Sequence, residues 1–259
     1  MCREDSFGIP RLGDRESVSV ITPEMLFAHY QRVLRESRVD LFYVGSAPAE
    51  AVAAALYPLF SGLDRAIVPL PEQTPYHPVE PGDHEESMDV AQGKLCMGFT
   101  TPVTLRSPEF VAMQLLNLIF GAGMTSKLFM NIREKLSLCY DIGSGYHGAK
   151  GILSVSAGID FSEKDRVIRE ILAQLRACQE GQISDEELES AKQALYSSIR
   201  GIHDSPGAIE SYYATGALSG LELTPAQYRE AVQQATAADV SAAARSLQLH
   251  TVYFLKGVQ

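Results

Sequence analysis

Five of the 13 prolines crowd between Pro69 and Pro81, and no lysine or arginine occurs from Ala66 to Gly93, while Glu72, Glu80, Asp83, Glu85, Glu86 and Asp89 accumulate there. Proline fixes φ and has no N–H to donate, so a stretch this dense in proline and acid suits neither a helix interior nor a central strand. Residues 62–91 are therefore expected to be an extended, Pro-rich acidic linker between a short unit, 1–61, and a longer one, 92–259. A length of 259 residues leaves room for that division, holding one large domain or two small ones.

With 46% hydrophobic and 21% charged residues, the chain can bury a real core, and disorder or a fibrous fold is excluded. The net charge of −10 argues against a nucleic-acid surface, which needs clustered positive charge. Cys2, Cys96, Cys139 and Cys178 show no CxxC spacing, and each lies in or beside an apolar run. Small buried thiols in a reducing, cytoplasmic setting are expected. The N-terminus lacks the basic and apolar regions of a signal peptide. The greasiest run, Phe110 to Met124, is broken by Gln114 and Asn117 and is too short to span a bilayer, so it is read as a core helix and no membrane partner is expected.

Helix and strand signals alternate along the chain. Thr22-Pro23 opens a helix with apolar positions at Met25, Leu26, Tyr30, Val33 and Leu34, and a strand, Val39–Val44, is expected after it. A helix follows from Pro48 to about Phe60. Beyond the linker come a strand from Leu95 to Val103, a helix from Ser107-Pro108 to Gly121, and another over Ser126 to Leu136. A strand pair, Tyr140–Tyr146 and Ile152–Ile159, surrounds a turn at 147–151. Four helices then start at Ser162, Ser184, Ser205-Pro206 and Thr224-Pro225, with capping-box partners such as Glu187 and Gln227. A strand, Thr251–Leu255, ends the series. The pattern Ile21-Thr22 leading to Val44-Gly45 parallels Ala235-Thr236 leading to Lys256-Gly257. If both are the end of one repeated unit, the second copy is whole and the first is only its tail.

The chemistry-bearing patterns are few. Neither HExxH nor HxxEH occurs, and the histidines are isolated, so no metal is expected in this chain. Gly143–Gly148 formally matches GxGxxG, but a strand follows it, so it belongs to the hairpin rather than to a dinucleotide site. Gly121–Lys127 lacks the order of a phosphate loop and reads as a helix–helix turn with Ser126 near the cap. There is no GxSxG elbow. What remains is Arg133 and Tyr140, seven residues apart where a helix gives way to a strand. A guanidinium with five donors and a phenol can hold two oxygens of one extended substrate and stabilise a developing oxyanion. A surface arginine and a packed strand tyrosine would look the same in sequence.

Gly93 to Lys192 resembles the C-terminal domain of the M16 zinc peptidases, the pitrilysin, insulinase and mitochondrial-processing-peptidase group. The resemblance rests on Met97-Gly98-Phe99 with Pro102, on the run from Leu115 through Gly121-Ala122-Gly123-Met124-Thr125-Ser126-Lys127-Leu128-Phe129 to Tyr140, and on Ile183 to Lys192. Gly8–Gly13, Ile21–Glu24 and Val44-Gly45 resemble the end of the family's N-terminal domain. The resemblance implies an α+β fold of two-layer helix/sheet type, with residues 1–61 the terminal part of a first copy and 92–259 a complete second, noncatalytic one. It implies that Arg133 and Tyr140 bind substrate carbonyls opposite a zinc-bearing half whose HxxEH would precede Met1. This chain is then inactive alone. Its implied partners are a peptide substrate and a zinc-bearing half or partner subunit, in a homo- or heterodimer. The other reading is a scaffold subunit that binds an active partner without contributing to the chemistry.

Overall fold

A computed structural model describes residues 1–2, 5–62, 64–69 and 80–258. Two short N-terminal features, a 3-10 turn Ser6–Gly8 and helix α1 (Arg15–Ser19), lead into α2 (Pro23–Glu36). Helix α2 starts as the sequence dictates, with the Thr22 hydroxyl accepting from the Met25 N–H and Pro23 in the first turn. Helix α3 (Ala49–Ser61) follows. The strand expected at Val39–Val44 does not form. Its side chains are exposed, Leu41 by 57% and Tyr43 by 47%, and no strand lies beside it among the described residues to complete its backbone hydrogen bonds. Nor does α2 or α3 bury any side chain.

The remainder builds one five-stranded sheet from β1 (Gly82–Met88), β2 (Gly93–Thr100), β3 (Cys139–His147), β4 (Ile152–Ile159) and β5 (Gln248–Gly257), in the order β1-β5-β2-β4-β3. Only β1 and β5 run parallel; the other neighbours are antiparallel. Strand β1 corrects the expectation of a linker through residue 91. An acidic strand is tolerated because it lies at the sheet edge, where charge also discourages unwanted pairing. Lys164 and Lys256 hold the Glu85 carboxylate, and the Tyr253 hydroxyl donates to Glu86 at 2.7 Å. The proline cluster itself, residues 70–79, lies outside the described residues.

Those lysine hydrogen bonds pull the Glu85 carboxyl from 4.5 down to about 2. A depressed carboxyl contributes its attachment fully above about pH 4.5 and loses it as pH falls through 2. The protection of the β1 amides, relative to their intrinsic exchange rates, is expected to fall across that window, with that of β4 unaffected. Equal protection of β1 at pH 6 and pH 2.5 would count against the tether.

Alternation decides which sheet face is packed. Leu95, Met97 and Phe99 of β2 and Leu153, Val155, Ala157 and Ile159 of β4 are buried, whereas Lys94, Cys96 and Ser156 point outward. Cys96 is thus exposed, contrary to the expectation of four buried thiols; only Cys178 is fully buried, and Cys2 and Cys139 are half-buried. Helices α4 (Phe110–Asn117), α5 (Lys164–Gln179), α6 (Asp185–Arg200), α8 (Pro225–Gln234) and α9 (Ala237–Arg245) cover the apolar face, while α7 (Pro206–Ser219), between α6 and α8, has no fully buried residue. Their inward residues, among them Met113, Leu116, Val167, Ile171, Val240 and Ala244, join the strand residues in one core. Capping boxes start α6 (Ser184/Glu187), α8 (Thr224/Gln227) and α9 (Thr236/Asp239), and Ser205 caps α7. Two expected starts move. Helix α4 begins at Phe110 because Ser107 caps a preceding turn, and α5 follows a 3-10 turn at Phe161–Glu163 with no bond from Ser162.

Candidate functional site

Helix α4 does not run on to Gly121 as an α-helix. It passes into wide π-type turns at Leu118–Ala122, and a second wide segment spans Leu128–Lys135. Such turns recur at functional sites because an extra residue per turn redirects side chains. The first is fixed where Ser144 Oγ donates to Asn117 Oδ1 at 2.7 Å. A side chain on Gly121 would come within 2.6 Å of Ser144 Oγ and 2.7 Å of Leu128 Cδ1, so glycine is required there by packing. Between the two segments, buried Ser126 accepts from the Phe129 N–H at 3.4 Å, in keeping with its expected capping role. Lys127 then ties the turn to α6 through Glu187 at 2.7 Å.

The second wide segment carries Arg133, and the chain reverses directly after it. The Ser137 N–H donates to Arg133 O at 3.2 Å and the Leu138 N–H to Ile132 O at 3.1 Å. Ser137 is the one non-glycine residue with positive φ, 51°, among the described residues. A side chain in that conformation is strained, and a β-branched one more so. Ser137→Val is expected to cost about 1–2 kcal/mol, with Ser137→Gly close to neutral; thermal unfolding of the pair reads this, and a Val variant as stable as the parent would refute the strain.

The reversal brings Arg133 to Tyr140. Arg133 Nε donates to the Tyr140 carbonyl at 2.9 Å, Nη1 bonds Glu134 at 3.1 Å, and the guanidinium carbon sits 4.6 Å from the centre of the Phe129 ring. Three contacts hold the guanidinium plane and leave further N–H groups unused. Tyr140 is the extra residue where the β3–β4 register shifts between Cys139 and Asp141. Its side chain is 66% exposed and its hydroxyl makes no hydrogen bond among the described residues. Both residues border an open cavity of about 600 Å³ that is also lined by Glu134, Asp160, Glu163 and Arg166. Burial, with the Asp141 charge adding to it, raises the neighbouring Cys139 thiol to about 11, so at neutral pH it is no thiolate nucleophile.

The structure therefore brings the two expected site residues together, although through the tyrosine's backbone and not its hydroxyl. Phe129, four residues before Arg133, was discernible as a helical neighbour. Asp160, Glu163 and Arg166 were not, because they come from the far end of β4 and the start of α5. Among the described residues no three His, Cys, Asp or Glu side chains gather as a metal-binding group. No helix among them is long and apolar enough to cross a membrane.

A helix layer on one face of a five-stranded sheet makes this an α+β domain of two-layer helix/sheet type. The pattern of the family described as the peptidase M16 inactive domain matches residues 21–195, and the chain belongs to that family. A Bacillus subtilis (strain 168) protein named probable inactive metalloprotease YmfF is 28% identical over 259 residues, covering 100% of this chain and 61% of its own length. The crystal structure of a conserved protein from Enterococcus faecalis V583 superposes with a TM-score of 0.86 at 29% identity, over 96% of this chain and 59% of that one. A peptidase M16 inactive domain from Pseudomonas fluorescens shares the fold, with a TM-score of 0.73 at 18% identity over 95% and 60% of the two chains. The chain thus spans about three fifths of the length of these relatives.

Proposed function

We propose that this chain is the zinc-free, substrate-binding portion of an M16-type metallopeptidase, which completes the peptide-binding chamber beside a zinc-bearing half or partner subunit. The observation that carries this reading is the fixed guanidinium of Arg133, with unused donors, next to the exposed and unbonded hydroxyl of Tyr140 at an open cavity. Donors held in place beforehand stabilise a developing oxyanion without reorganising during the reaction. This chain's residues bind and orient the peptide carbonyls, and the bond-breaking chemistry belongs to the partner.

The N-terminal region supports a partner. Leu26, Phe27, Tyr30, Tyr57 and Leu59 are 56–74% exposed, and an apolar surface of that kind marks an interaction site. The repeat adds a direction. Strand β5, the counterpart of Val39–Val44, lies between a parallel and an antiparallel neighbour. A partner supplying one strand of each sense would let Val39–Val44 take the same place.

Arg133→Ala and Tyr140→Phe, placed in the complete protein with its zinc-bearing partner, test the reading. Turnover is expected to fall while association persists, and unchanged kcat in both variants would overturn it. The exposed N-terminal surface equally favours a scaffold subunit, for which association is tight and both substitutions are silent.

A further inference from the structure

A second cavity, of about 260 Å³, borders the arginine-bearing segment at Met130. Leu118 and Ile119 of the first wide turn, Met130 of the second and Ala191 of α6 form its walls, with Glu186 and Ser190 at the rim. That volume is below the ~300–1,000 Å³ of a small-molecule pocket and suits one side chain. Methionine is a soft, adaptable wall, and Met130 is 45% exposed.

The charge at the rim is specific. The Glu187 carboxylate is fully engaged, by Lys127 and by the Ser184 N–H at 2.9 Å. Glu186, next to it, is exposed and has no ion pair or hydrogen bond among the described residues. An apolar cleft beside one free carboxylate complements an apolar group that carries a positive charge nearby.

We infer that this cavity is a side-chain subsite for the peptide, taking one large apolar side chain with a cationic group beside it, which Glu186 pairs. The inference rests on the peptide-holding reading of Arg133, because Met130 and Arg133 share the Leu128–Lys135 segment three residues apart. One subsite then grips main-chain oxygens and the other selects a side chain.

Phenethylamine, a benzene ring two carbons from an ammonium, is the probe, with 3-phenylpropionate as its anionic counterpart. Methyl-labelled full-length chain is titrated with each and followed by NMR. Saturable shifts confined to Leu118, Ile119, Met130 and Ala191 are expected with phenethylamine and not with phenylpropionate. Glu186→Gln is expected to weaken phenethylamine about 3- to 10-fold, and Ala194→Phe, which fills the cleft from exposed α6 surface, to abolish its binding. Absence of saturable shifts, equal binding of the anion, or unchanged affinity in Glu186→Gln would each overturn the subsite. Arg133→Ala leaves phenethylamine binding intact on this assignment, so loss of the carbonyl-gripping role and loss of the subsite are read separately.

Discussion

Arg133→Ala is expected to lower kcat of the assembled peptidase about 100-fold or more while leaving the fold in place. Removing one oxyanion donor typically costs ~2.7–4 kcal/mol in the transition state. The structural losses are smaller. They comprise one hydrogen bond to the Tyr140 carbonyl, worth about 1 kcal/mol, and a part-exposed contact with the Phe129 ring, worth roughly 0.5–1 kcal/mol. In a chain of this size such a loss lowers Tm by only about 2–4 °C per kcal/mol. The ratio separates function from stability. Arg133→Lys is a useful intermediate, because lysine keeps the charge but not the planar fork that binds Tyr140 and a substrate oxygen together. Recovery of full turnover by lysine would mean that charge alone matters, and parental turnover in Arg133→Ala would remove the arginine from the chemistry.

Phe99→Ala carries the largest expected stability cost, about 3–5 kcal/mol by the usual range for a buried phenylalanine. Phe99 has no exposed surface and lies on β2, between β4 and β5, opposite Leu153 and Leu249. Deleting its ring leaves a void among the buried residues of the core that the close-packed strands cannot fill. With total stabilities of ~5–15 kcal/mol for folded domains, this is about a fifth of the whole or more. Denaturant unfolding of Phe99→Ala beside the milder Phe99→Leu would show it, and a cost under about 1 kcal/mol for alanine would place the ring outside the core.

Local rules and tertiary ones were legible to different degrees in the sequence. The starts of α6 and α8 were written in Ser184 and Thr224 with their partners three residues on, because a cap satisfies its hydrogen bonds within one turn. The β3–β4 hairpin was legible for the same reason. Strand β1 was not, since its acidic residues gain lysine and tyrosine partners about 80 to 170 positions later in the chain. The spacing of Arg133 and Tyr140 gave their proximity away, but not the strained Ser137 that produces it. The wide turns could not be read, because they depend on β3 packing against Gly121. Val39–Val44 shows the converse: its β-branched and aromatic residues state a preference that only a neighbouring strand can fulfil.

The position of β5 also bears on how the molecule is made. Gln248–Gly257 is the last of the five described strands to be synthesised, yet it lies inside the sheet, parallel to β1 on one side and antiparallel to β2 on the other. While the ribosome still holds those ten residues, β1 has nothing to join and one flank of β2 stays bare. A protease cut shortly before Gln248 would therefore remove the strand that joins β1 to β2 and leave both without that neighbour.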